Sequence, residues 1–143
     1  MSTGKSASEI VPPRLRRLGP LLLPLAYMAA IFMLSSIPGE IDPHETGVMR
    51  VFLWVPPDVQ NLLHVPVFAG LAWLWCLALR PWGLSPGRLA WLAFALTLAY
   101  GVADEIHQSF VPGRLANGAD LLLNGIGAAL AAWYYHRRSL VAG

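Results

Sequence analysis

A chain of 143 residues, 56% of them hydrophobic and 13% charged, with a mean hydropathy of +0.53, lacks the roughly 25% charged content of an ordinary soluble domain. Its formal net charge is only +2 and its basic residues are not gathered on one amphipathic face, which argues against a nucleic-acid partner. The single cysteine, Cys76, excludes an intrachain disulfide and sits in an apolar run, where it reads as a small buried hydrophobe.

In chain order, residues 1–17 hold Lys5, Arg14, Arg16 and Arg17 among Ser, Thr, Gly and Pro, too little apolar surface to fold alone; they read as a disordered basic cytoplasmic tail. Residues 18–37 carry no charge and are long enough for a first transmembrane helix, with Pro24 expected to kink it. A cleavable signal peptide is the rival reading, but the apolar core is too long for one and no convincing cleavage site follows. Residues 38–60 form a Pro-rich, mostly acidic loop, with an apolar island at residues 51–55 suited to lie at headgroup level. A second span covers residues 61–79, with His64 in its first turn. A Pro/Gly turn over residues 80–88 leads to a third span, residues 89–103, short unless its helix continues through the polar residues 104–108. After a turn at residues 111–117, a fourth span covers residues 119–135, and residues 139–143 form a cytoplasmic tail.

The expected fold is therefore all-α: a polytopic membrane protein whose domain, residues 18–138, has four transmembrane helices and cytoplasmic termini. Lys5, Arg14, Arg16, Arg17, Arg80, Arg88, Arg137 and Arg138 then share one side, and the positive-inside rule makes it the cytoplasm. Most acids share the other side, which locates the chemistry outside.

That chemistry concentrates in residues 100–127, YGVADEIHQSFVPGRLANGADLLLNGIG. Ionisable side chains at the edge of hydrocarbon are costly, so they pair, face a cavity or carry function. Helical spacing aligns Asp104 with His107 and Gln108, and Asp120 with Asn124 and Gly127. His64, Asp104, Glu105, Arg114, Asp120 and Asn124 are thus candidates for one outward-facing pocket, beside Gly125, Gly127, Ala128 and Ala129, which permit close helix contact. Oligomerisation is compatible with that small-residue face. Each residue also has a plainer reading. Arg114 with Asp104, Glu105 or Asp120 is a structural ion pair on one reading and a fork for phosphate or carboxylate on the other. His64 either hydrogen-bonds to Asn124 or Asp120 or moves protons. Asp104, Glu105 and His107 lack a further His-containing ligand pair, so no metal and no cofactor are expected.

This array resembles the signature of VanZ-like membrane proteins: Asp104-Glu105, Gln108, Pro112-Gly113-Arg114, then Asp120, Asn124 and Gly127 in that order, with Phe32, Ser35, Ser36, Pro38 and His64 elsewhere. Family members often carry Asp-Lys before that histidine and Tyr after it, where this chain has Gln60, Asn61 and Phe68. The resemblance implies a multi-pass protein of the bacterial cytoplasmic (inner) membrane, in a family whose founding members are linked to low-level resistance to teicoplanin, a glycopeptide antibiotic acting at the cell envelope. A membrane lipid or lipid-linked envelope component is the expected partner, bound through His64, Asp104, Glu105, Gln108, Arg114, Asp120 and Asn124. Three classes stay open. The first is a non-catalytic binder of such a lipid or of a partner. The second is a membrane enzyme acting on a lipid-linked anionic substrate, with His64, Asp104, Glu105, Arg114 and Asp120 as catalytic candidates. The third is a small transporter, ranked last because no internal repeat is visible. The lack of an activated Ser or Cys nucleophile favours the first.

Overall fold

The computed structural model describes residues 17–39, 57–114 and 118–141. Residues 1–16 of the basic tail, the expected interfacial island at residues 51–55, residues 115–117 and the last two residues lie outside them. Among the described residues, four α-helices make up the fold. α1, Leu22–Ser35, is entered through a 3-10 turn, Gly19–Leu21; α2 is Pro57–Leu79, followed by a 3-10 turn, Arg80–Trp82; α3 is Pro86–Gln108; and α4 is Gly118–Val141. Among the described residues there is no strand.

Two expectations about element shape change. The helix proper of α1 begins at Leu22, so Pro24 sits in its first turn, where a missing N–H leaves no intrahelical bond unmade, and the expected kink has no cause. The proline inside a helix is Pro66 of α2, which leaves the Leu62 carbonyl without its usual donor. The third apolar run does continue through Asp104, Glu105, His107 and Gln108 as helix, which brings its polar residues into the bundle instead of a loop. Gly83, with φ of 68°, closes the turn after α2 in the left-handed region that a side chain would disfavour.

Side-chain contacts give the directions of the helices. Tyr100 of α3 donates to the Met28 carbonyl and Asp104 meets Ser35, so α1 and α3 are parallel; Gly101 lies against Asn124 and Gly87 near His136, so α4 opposes α3. α2 runs with α4, since His64 meets Asn124 and Trp73 meets Tyr134 and Tyr135. α2 and α4 approach most closely at Gly127, where an added Cβ would collide with the Val65 carbonyl oxygen, so that backbone packs directly on backbone.

The apolar core and the polar residues occupy different halves of this bundle. Ile31, Leu71, Trp75, Cys76, Leu79, Leu89, Ala93 and Tyr135 form one buried cluster. Asp104, Glu105, Gln108, Asp120 and Asn124 are buried toward the opposite end. The outer surface is apolar: Leu22, Met33, Trp91 and Leu122 are each about 70% exposed. Asn61–Trp82 and Pro86–Gln108 are long and apolar enough to cross a membrane, and Gly19–Ser35 is apolar but shorter.

Candidate functional site

α3 builds the centre of the polar cluster. Thr97, Gly101, Asp104, Glu105 and Gln108 all fall on its buried face, because steps of three and four residues return to one side of a helix. Asp104 is 3% exposed and holds two contacts: its Oδ1 is 2.5 Å from Ser35 Oγ, and its Oδ2 accepts from Gln108 Nε2 at 2.9 Å. Ser35 Oγ also lies 2.7 Å from the Ile31 carbonyl oxygen, so one hydroxyl proton has two acceptors.

Beyond Gln108 the network reaches Arg114, whose Nη1 donates to Gln108 Oε1 at 3.4 Å and whose Nε donates to the Ile37 carbonyl at 3.0 Å. The expected ion pairs of Arg114 with Asp104 or Asp120 are replaced by this indirect link. Among the described residues, the guanidinium's acceptors are two neutral carbonyl oxygens. The turn that presents it has its own fastening: Gly39 N–H donates to the Pro112 carbonyl at 3.1 Å, and an added Cβ on Gly39 would strike the Gly113 carbonyl oxygen. Gly113 itself has φ of 71°, where any other residue is strained. Arg114 is half-buried.

A second, separate pair joins α2 to α4. His64 Nδ1 lies 2.8 Å from Asn124 Oδ1, which cannot donate, so Nδ1–H is the donor in this contact. The His64 ring stacks on Phe68, which in turn stacks on Tyr100. Of the two readings of His64, the structure gives the Asn124 partner and not Asp120. Asn124 Nδ2, Asp120 Oδ1 and Thr97 Oγ1 are buried with no hydrogen-bond partner among the described residues. Asp120 occupies the first turn of α4, where the helix dipole favours a negative charge.

His107 does not join Asp104. It stacks on Phe32 of α1 with centroids 4.2 Å apart, and its Nε2 is 2.9 Å from Ser36 Oγ. Ser36 donates its own proton to the Phe32 carbonyl at 2.6 Å, so Nε2–H is the donor to Ser36. Among the described residues no group of three His, Cys, Asp or Glu side chains is placed to hold a metal ion. Thus Asp104, Gln108 and Arg114 form one chain, His64 and Asn124 form another contact, and Glu105 and Asp120 are buried beside them.

Ser35, Ser36 and Thr97 were not candidates from polarity alone. The signal for the serines is positional, since they end an otherwise apolar helix two residues before Pro38; Thr97 has no signal within its apolar run. A groove of about 310 Å³ opens at the far end of the bundle, between α3 and α4, away from Arg114.

Among known proteins, no curated protein and no solved structure matches this chain. The family model described as VanZ/LLP1 does match, over residues 5–141, which takes in the whole polar chain from Ser35 to Arg114 and the His64–Asn124 pair. Together with the two helices long and apolar enough to cross a bilayer, that match supports a membrane protein, and the chain belongs to the VanZ/LLP1 family.

Proposed function

We propose that this VanZ-like protein crosses the cytoplasmic (inner) membrane four times with both termini in the cytoplasm, and binds a lipid or lipid-linked cell-wall component at the polar end of the bundle. The distribution of charge supports the orientation. Arg17, Arg80, Arg88, Arg137 and Arg138 belong to one end of the helices, while Asp104, Glu105 and Asp120 belong to the other. The positive-inside rule assigns the first end to the cytoplasm.

The observation that carries the binding role is the state of Arg114. Its charge is fixed in place by the Ile37 and Gln108 oxygens without being neutralised by them, and its half-buried fork suits a phosphate or carboxylate. A guanidinium held, among the described residues, by neutral oxygens is suited to a lipid-linked anion. A role of this kind in the envelope is compatible with the family's link to teicoplanin resistance. One observation favours catalysis as a second reading: the 2.5 Å contact between Ser35 and Asp104 sets a hydroxyl against a buried carboxylate in the same network. In that reading the protein is an enzyme for a phosphate-bearing, lipid-linked substrate, with Arg114 stabilising charge on the substrate.

Native mass spectrometry of protein extracted with its lipids tests the proposal, comparing wild type with Arg114→Ala at matched folding and yield. Retention of one anionic or polyprenyl-phosphate lipid by wild type alone is the expected result. Equal lipid profiles in the two samples would make the cluster a structural network.

A further inference from the structure

The groove between α3 and α4 lies at the basic end of the bundle, on the side opposite Arg114. Its floor is made of Gly87, Ala90, Ala129 and Ala132, residues too small to fill the space between the two helices. An added Cβ on Gly87 would meet only His136 Cε1, at 3.7 Å, so this part of the floor has room to spare. The walls are aromatic. Trp91 is 72% exposed and Trp133 60% exposed, and Phe94 packs edge-on against Trp91 at 5.7 Å. At about 310 Å³ the groove falls at the lower end of the roughly 300–1,000 Å³ typical of ligand sites.

Its chemistry is not uniform along its length. His136 lines it, and the buried Nδ1 of His136 has no hydrogen-bond partner. The Arg137 guanidinium lies 6.0 Å from the centroid of the Trp133 ring, and Arg88 follows Gly87 at the start of α3; both arginines are exposed. An apolar slot with cations at one end matches an amphiphile with a hydrocarbon tail and an anionic head. It does not match a second copy of this chain laid against the same face, which would bring two sets of arginines together.

We infer that this groove is a binding site for an anionic phospholipid, with an acyl chain between Trp91 and Trp133 and the phosphate group at Arg88, Arg137 and His136. The inference needs the bundle to sit in a bilayer but is independent of any ligand at Arg114. Basic side chains at a membrane surface each favour an anionic lipid by about fivefold. Aromatic rings at this level suit the boundary between headgroups and hydrocarbon.

The test is native mass spectrometry in a neutral detergent, with phosphatidylglycerol and phosphatidylcholine of identical acyl chains added at equal concentration. Wild type is expected to retain phosphatidylglycerol over phosphatidylcholine by about fivefold or more. Arg88→Gln with Arg137→Gln should bring the two lipids level. Ala129→Leu fills the floor at an exposed position and should lower retention of both. A second measurement does not depend on those variants. In nanodiscs of phosphatidylcholine, a minor fraction of phosphatidylglycerol with brominated acyl chains should quench tryptophan fluorescence more than brominated phosphatidylcholine does, and Trp91→Phe with Trp133→Phe should remove the difference. Equal retention of the two lipids by wild type, equal quenching by the two brominated lipids, or cross-linked dimers that Ala129→Leu abolishes would each overturn the proposal.

Discussion

Ser35 and Asp104 lie 69 positions apart in the chain and 2.5 Å apart in space, joining the last residue of α1 to the buried face of α3. This contact is what fastens the first helix to the polar cluster. Replacing Ser35 with Ala removes the donor and leaves Asp104 Oδ1 facing a methyl group. An unsatisfied buried acceptor costs about 1–3 kcal/mol. Unfolding of Ser35→Ala in detergent should show a loss in that range, whereas Ser36→Ala, at a less buried hydroxyl, should lose less. Equal losses at the two serines would mean that the contact with Asp104 contributes nothing of its own.

Asp104 and Arg114 are coupled through Gln108, although they do not touch. Asp104→Asn removes the carboxylate's charge and so weakens the hydrogen bond from Gln108 Nε2 that holds the Gln108 carbonyl oxygen toward Arg114. A double-mutant cycle of Asp104→Asn with Arg114→Ala should give a coupling of about 0.5–3 kcal/mol. Additivity of the two single losses would show that Gln108 does not transmit.

On α4, two glycines two residues apart make a controlled comparison, Gly127 facing α2 and Gly125 facing α3. A methyl on Gly127 runs into the Val65 carbonyl, whereas one on Gly125 meets Leu98 Cδ1 at an ordinary 3.8 Å. Gly127→Ala should therefore destabilise by about 1–3 kcal/mol, the usual range for overpacking. Gly125→Ala should be close to neutral, or stabilising through its better helix propensity. Thermal melts of the two proteins in the same detergent check both values.

The His64–Asn124 hydrogen bond should be worth about 0.6 kcal/mol, and at most about 1.7 kcal/mol, as other interhelical polar pairs in membranes are. A double-mutant cycle of His64→Ala and Asn124→Ala measures it. A coupling near zero would mean that the pair is held in place by Phe68 and the close helix approach rather than by its own bond.

Gly113→Ala forces a side chain into the left-handed region and should cost about 1 kcal/mol. Its larger effect should fall on Arg114, the next residue, whose position depends on that turn. The variant is expected to lose lipid retention more than its melting point suggests, and a fall in melting point with unchanged retention would separate the turn from the site.

Much of this was legible from residue order. Apolar runs marked all four helices, since length and lack of charge are local properties. The i, i+4 spacing of Asp104 and Gln108 anticipated their hydrogen bond for the same reason. Partnerships between helices were harder to read. His64 had two equally placed candidates on α4, and spacing alone could not choose Asn124 over Asp120. Arg114 meets neither Asp104 nor Asp120 among the described residues, because the turn at Pro112–Gly113 carries the guanidinium toward the end of α1, where the Ile37 carbonyl accepts from it. Ser35 looked like the polar end of an apolar helix, and only the parallel packing of α1 on α3 gives it a carboxylate partner.

The ties that hold α1 have a consequence for how the protein is made. Tyr27, Met28, Ser35, Ser36 and Ile37 bond to Val67, Tyr100, Asp104, His107 and Arg114, all of which are synthesised later. When α1 leaves the ribosome it has none of these partners, and on the proposed four-span topology its lack of charge would let it wait in lipid as a lone helix. The last of them to appear is Arg114. The first helix therefore receives its last tie from the turn before the fourth, and a chain truncated before Arg114 should keep the earlier ties of that helix while leaving the Ile37 carbonyl without its arginine.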